Sequence, residues 1–200
     1  MKIGIIGAGG IGQAFAAHFA KADYEVIVSN SRGPESLAGL VSELGPRAKA
    51  GTRQEAAQAD VVVLSVNWEH VPKALADLPP WRSRILIDAT NPVLQPGFRL
   101  AALDGSTSSE VVASLAPGAR LVKVGNTLLR AVLAADPRQA GGRRVLFMSG
   151  DDAAANATVT GILDKLGFAT IDLGALAIGA RLQQFPGGPL PTLNLIKLEK

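Results

Sequence analysis

The chain has 200 residues, 48% of them hydrophobic and 4% aromatic, with a formal net charge of +3. That length suits one core, or a main domain with a small appendage. So small a charge, with no Lys/Arg cluster, argues against a nucleic-acid partner, and the lack of cysteine excludes disulfides, thiol catalysis and cysteine-ligated metal.

The first elements are the most informative. Ile3, Ile5 and Ile6 make a short apolar strand, and Gly7-Ala8-Gly9-Gly10-Ile11-Gly12 follows it as a full G-x-G-x-x-G. Ile11, Phe15 and Phe19 then recur four apart on one helix face, and Tyr24 to Val28 is a second β-rich run. Strand, glycine turn, helix and strand in one unit form the context in which this pattern binds a dinucleotide. Gly7 serves the tight turn, Gly9 the approach of backbone to a pyrophosphate, and Gly12 the close packing of helix on strand. Ala8, Gly10 and Ile11 complete the turn, and the helix start offers the phosphates free N–H groups and a positive dipole end.

The end of the second strand selects the cofactor. NAD-binding folds usually carry an acid there for the ribose 2′-hydroxyl. This chain has Ser29, Asn30, Ser31 and Arg32 instead. A carboxylate repels a 2′-phosphate, whereas an arginine fork with short hydroxyls beside it holds one. NADP is therefore the expected cofactor, with Arg32 as its main determinant. Glu35 lies past Gly33-Pro34, in the first turn of the next helix.

Further along, Pro34 opens a helix with Leu37, Leu40, Val41 and Leu44 on one face, ended by Gly45-Pro46. Arg47 to Ala50 reads as a short strand and Gln54 to Ala59 as a weak helix. Asp60 to Val66 and Arg84 to Asp88 are continuous apolar runs, the mark of strands buried on both faces. A helix between them runs to about Leu78 and stops at Pro79-Pro80. Val93 to Gly105 lacks periodicity and reads as a loop near the site. Thr107 to Glu110 is a capping box before a helix with Val111, Val112 and Leu115. Arg120 to Val124 is a strand, Leu128 to Ala135 a short helix, and Arg143 to Met148 a strand. Val159, Ile162, Leu163 and Leu166 share a helix face, Phe168 to Leu173 is the last expected strand, and Ala175 to Leu182 is helical.

Strands alternating with helices predict an α/β protein with a doubly wound, mostly parallel sheet, the NAD(P)-binding Rossmann fold. Residues 1–174 are expected to form the NADP-binding domain. Residues 175–200 are a C-terminal helix and tail, a small appendage with apolar Leu193, Leu195, Ile196 and Leu198 suited to a dimer interface. The apolar runs are too short to span a bilayer, so no membrane partner is expected. The chain enters its first strand at once, so no signal peptide is expected and a cytoplasmic location follows by default.

Ligands of such a sheet lie outside the carboxyl ends of its strands. That rule selects Ser65, Val66, Asn67 and Trp68 after one strand, Thr90 and Asn91 after the next, and Asn126 and Thr127 after the third. They are amides, hydroxyls and one large aromatic, fit to bind a carboxamide, ribose or polar ring, and also fit to cap helices and turns. His18 reads as a packing or surface residue of the first helix, whereas His70 follows a strand end and could approach the site. No spacing suggests a metal site or acyl transfer. No catalytic side chain can be assigned. Hydride transfer between two cofactors needs only binding, orientation and exclusion of water, whereas carbonyl reduction usually wants a proton donor.

The motifs together resemble those of the deazaflavin-dependent NADP oxidoreductase family, the NADPH:coenzyme F420 reductases and their relatives. The resemblance rests on Gly7 to Gly12, Ser29-Asn30-Ser31-Arg32, Asp88-Ala89-Thr90-Asn91-Pro92, Lys123-Val124-Gly125-Asn126-Thr127, Gly150-Asp151-Asp152, and Leu166-Gly167-Phe168 running on to Asp172-Leu173-Gly174. It implies hydride transfer between NADP(H) and a deazaflavin, rings stacked in the crevice, and a homodimer. Two positions depart from it: family members often carry a bulky aromatic where Gly125 stands, and many carry proline where Asn67 stands. Both positions lie near the ring-binding crevice and so bear on the second substrate and not on NADP; the resemblance itself implies a deazaflavin, such as coenzyme F420, or another flavin as the acceptor. A small imine or carbonyl substrate, and a non-catalytic NADP-binding redox sensor, are the alternatives.

Overall fold

The structure, a computed structural model, describes residues 1–199. β1 (Lys2–Ile6) enters the glycine turn and α1 (Gly10–Lys21) leaves it, followed by β2 (Glu25–Ser29). The helix expected from Pro34 divides: Pro34–Leu37 is a 3-10 turn, and only Ala38–Leu44 is α-helical, as α2. β3 (Ala48–Ala50) comes next. α3 (Arg53–Ala56) starts earlier and ends sooner than expected, because Thr52 and Glu55 form a capping box that fixes its first turn. β4 (Val61–Leu64) is buried along its whole length and ends two residues before the apolar run does. A 3-10 turn at Trp68–His70 leads into α4 (Val71–Leu75), which stops short of Leu78 because Ala76 is extended and Asp77 has a φ of 55°.

β5 (Ile85–Asp88) is also buried throughout. The stretch from Val93, without periodicity in the sequence, contains a two-stranded hairpin of β6 (Val93–Leu94) and β7 (Arg99–Leu100). α5 (Ser108–Leu115) begins at the expected capping box of Thr107 and Glu110. β8 (Arg120–Val124), α6 (Arg130–Ala134), β9 (Arg138–Gln139), β10 (Gly142–Gly150) and α7 (Ala153–Lys165) follow. β11 (Ala169–Asp172), α8 (Leu176–Gln183) and β12 (Ile196–Leu198) end the described chain. The last of these strands was not expected from sequence.

The described residues form one ten-stranded sheet, ordered β11-β10-β8-β5-β4-β1-β2-β3, with β9 and β12 joined to β10. From β3 to β8 every pairing is parallel. β10 runs antiparallel to β8, and β11 is parallel to β10, so the far edge of the sheet is reversed. This is the expected doubly wound, mostly parallel, Rossmann-like fold. Alternation along each strand feeds both faces. Val61 and Val63 join Ile3, Ile5, Phe15 and Phe19 on one side, and Val62 and Leu64 join Ile6, Trp81 and Leu86 on the other. Phe15 and Phe19 are wholly buried, which is worth about 1.5–3 kcal/mol for each ring. A core on both faces is why these strands read as unbroken apolar runs.

Strand order reverses at β1, with β2 on one side and β4 on the other. The crevice outside their carboxyl ends is the place where such sheets bind ligands.

Candidate functional site

The three glycines of the turn do three different things. Gly7 has a φ of 105°, and a Cβ there would stand 2.1 Å from the carbonyl oxygen of Ser65. A Cβ on Gly12 would stand 2.0 Å from the carbonyl oxygen of Gly7, so helix and turn touch backbone to backbone. Gly9 is the opposite case: a Cβ there would meet nothing within 4 Å, and the residue is exposed. Two glycines thus close the turn and the third leaves its outer side open, as backbone that must receive a pyrophosphate requires. No side chain caps Gly9 and no acid stands in the first turn of α1, so its leading N–H groups are left for an anion. The Gln13 side chain braces the turn by donating to the carbonyl of Ala8 at 2.9 Å. Ala8, Gly10 and Ile11 are half-buried along it.

At the end of β2 the four expected residues divide by role. Ser29 is fully buried, and its hydroxyl donates to the carbonyl of Ile5 at 2.8 Å, so only its backbone borders the crevice. Asn30 shapes the loop: its Oδ1 accepts the Arg32 N–H at 2.9 Å, and its amide donates to the Ser36 hydroxyl at 2.8 Å. That turn leaves Ser31 and Arg32 exposed and next to one another.

On the other side of the crevice, Ser65 donates its N–H to Ile6, and a Cβ on Gly7 would stand 2.7 Å from Val66 Cγ1. Ser65 and Val66 therefore adjoin the glycine turn. Asn67 and His70 are exposed, and Trp68 is half-buried against the second core face. The β6–β7 hairpin packs beside the Trp68–His70 turn. Asn91 is committed inward: its amide donates to the Asn126 carbonyl at 2.9 Å, and its Oδ1 accepts from the Asn126 amide at 2.9 Å. Asn126 also donates to the Gln183 carbonyl, and Thr127 is buried. These residues are brought together, and what Asn91 can still offer a ligand is one amide N–H. Gly125 has a φ of 85°, and a Cβ there would stand 2.4 Å from the ring of Phe15, which accounts for glycine at this position.

Beneath Thr90 and Asn91 lies a buried network whose pairing the sequence left unread. Lys123 and Asp88 form an ion pair at 3.2 Å, both side chains having no exposure. Lys123 also donates to the Thr90 carbonyl at 3.0 Å. Asp88 accepts the Thr90 N–H, the Thr90 hydroxyl at 2.6 Å and the Ser109 hydroxyl at 2.6 Å. A lysine inside the apolar run Arg120 to Val124, and an aspartate closing another, were the available signals, since buried charges need partners. Gln183 gave less warning. It is wholly buried, accepts from Ser149 at 2.7 Å and donates to the Phe147 carbonyl at 3.0 Å. His18 is a packing residue, stacked edge-on against Phe168. Among the described residues no group of three or more His, Cys, Asp or Glu is placed to hold a metal ion, and no helix is long and apolar enough to cross a membrane.

The comparisons with known proteins agree with this geometry. Residues 2–92 match the family model described as NADP oxidoreductase coenzyme F420-dependent. The chain is 29% identical over 192 residues to the metalloreductase STEAP3 of Rattus norvegicus, a match that covers 96% of this chain and 37% of that protein. The chain thus spans little more than a third of the length of that curated relative. A solved hypothetical protein from Sinorhizobium meliloti is 44% identical with a TM-score of 0.93, over 98% of this chain and 96% of its own. A solved protein of Arthrobacter sp. FB24, provisionally described as an F420-dependent NADP-reductase, is 27% identical with a TM-score of 0.81, over 98% of this chain and 100% of its own. Over its glycine turn and first five strands, the chain is thus similar to the NADP oxidoreductase, coenzyme F420-dependent family.

Proposed function

We propose that the chain is an NADPH-dependent oxidoreductase that transfers hydride between NADP(H) and a flavin or deazaflavin laid in the crevice. One contrast carries the reading. A glycine turn left open at Gly9, in the form a dinucleotide asks for, stands beside a rim of amides, hydroxyls and backbone, while the ionisable pair beneath that rim, Asp88 and Lys123, is occupied with internal hydrogen bonds. Bound NADPH supplies a hydride. The chain's part is to bind, orient and exclude water, and that suffices when both reactants are cofactors. Gly9 and the leading N–H groups of α1 hold the pyrophosphate, and Ser31 and Arg32 hold the 2′-phosphate. Val66, Trp68 and the β6–β7 hairpin wall the ring end. Asn91 orients a carboxamide with its remaining N–H, fixed in place by Asn126.

An acceptor screen that follows NADPH absorbance tests the reading, with deazaflavin, flavin mononucleotide and ferric chelates as acceptors. Turnover with a flavin or deazaflavin supports it. Turnover with ferric chelate alone moves the acceptor to metal. Tight NADPH binding without turnover leaves a non-catalytic NADP-binding module and overturns the proposal. A homodimer belongs to the same reading, supported by Ile178, Leu193 and Leu195, each at least 40% exposed. Sedimentation at micromolar concentration decides this part, and a monomer ends it.

A further inference from the structure

Arg130, the first residue of α6, lies 120 positions from Gly10 in sequence and directly over it in space. A Cβ built on Gly10 would stand 2.4 Å from Arg130 Cδ and 3.0 Å from Cγ and Nε. Gly10 occupies a free position of the G-x-G-x-x-G pattern, where phosphate binding does not itself ask for glycine. The arginine stem asks for it. That stem carries the guanidinium to the start of α1, the positive end of a twelve-residue helix with no capping side chain and no acid in its first turn. A cation there is disfavoured by the helix dipole unless an anion lies between them. Arg130 pairs with no carboxylate among the described residues.

The side chain is exposed, but the helix that carries it is anchored. Leu133, one turn on, is wholly buried in the core, and its carbonyl accepts the His18 Nε2–H at 2.7 Å, which ties α6 to α1. We infer that Arg130 is a pyrophosphate-binding residue: its guanidinium closes over the glycine turn and shares the dinucleotide's pyrophosphate with the N–H groups of α1. This rests on the NADP reading above and adds to it a second wall, supplied from the far half of the chain.

The test compares NADPH with adenosine 2′-monophosphate, which carries the 2′-phosphate but no pyrophosphate. Losing one charge-assisted contact in Arg130→Ala should weaken NADPH about ten- to a hundredfold, with adenosine 2′-monophosphate affinity and melting temperature unchanged. Arg130→Lys should recover part of the loss. Gly10→Ala displaces the stem and should weaken NADPH similarly, and the double variant should be no weaker than Arg130→Ala alone, as expected of two changes acting through one contact. The inference is overturned, with the NADP reading intact, if Arg130→Ala binds NADPH within twofold of the parent protein. It is overturned equally if both ligands weaken together, the mark of a structural role. A parent protein that binds neither ligand sinks the NADP reading itself.

Discussion

Arg32 owes its exposure to Asn30, whose side chain takes up the Arg32 N–H and the Ser36 hydroxyl and so turns the loop outward. A guanidinium there, which forms no salt bridge among the described residues even with Glu35 three positions on, suits a phosphate better than a ribose hydroxyl. Arg32→Glu should therefore cost about 1.5–3 kcal/mol of NADPH binding and leave NADH binding unchanged or improved. Titrating both cofactors checks it, and an unchanged affinity ratio removes Arg32 from the site. Lys123 makes a different kind of demand. With both members of the Lys123–Asp88 pair wholly buried, Lys123→Met leaves a carboxylate in the core with only N–H and hydroxyl donors. Breaking such a pair costs about 3–5 kcal/mol. Urea unfolding should show that loss, and Asp88→Asn combined with Lys123→Met should recover part of it. An unchanged midpoint for Lys123→Met would mean that the pair adds nothing to the stability of the fold.

At the scale of elements, what can be read from sequence follows what is local. β4 and β5 announce themselves because burial on both faces leaves an unbroken apolar run. The glycine turn does so because Gly7 and Gly12 answer steric demands a few residues away. α8 is different. Its amphipathic pattern marks it as a helix, but the decisive fact is that Gln183 bonds Ser149, Phe147 and Asn126, residues 34 to 57 positions away. No spacing rule reports such a contact. The tail is similar: β12 pairs with the start of β10, and the Leu195 carbonyl accepts the Val145 N–H at 2.9 Å, so these apolar residues answer to a distant strand. Two truncations separate the roles. Both truncations remove β12, but ending the chain after Arg181 also removes Gln183 and leaves the buried Ser149 hydroxyl and Phe147 carbonyl without that partner, and should give a protein that aggregates or lacks a cooperative melt. Ending it after Leu193 spares Gln183 and should leave a folded protein that still binds NADPH. Circular dichroism and NADPH titration check both, and a soluble, cooperatively melting chain ending at Arg181 would show Gln183 to be dispensable.

For the molecule as a whole, acid should act in two separate steps. Burial lowers the His18 imidazole below its ordinary value near 6.5, against the opposing hydrogen bond to Leu133, with Lys21 lowering it further and Asp136 raising it. The unfolded chain then binds a proton that the folded one resists, so stability is whole above pH 6.5 and declines as pH falls toward the folded value. Glu55 and Glu110 lie lower on the scale. Each is held below the ordinary 4.5 by the backbone N–H and hydroxyl of its capping threonine, Thr52 or Thr107. Their contribution is present above 4.5 and is lost as pH falls through their folded values. Melting temperature measured from pH 8 to pH 3 should therefore stay flat, dip first below about pH 6.5, and fall again below about pH 4.5. His18→Gln keeps an N–H that can reach the Leu133 carbonyl and removes the titration, so it should erase the first dip and leave the second. The α1–α6 contact made by His18 also positions Arg130. If His18→Gln still dips below pH 6.5, the first step belongs to another group, and the burial of His18 does not govern the acid response of this fold.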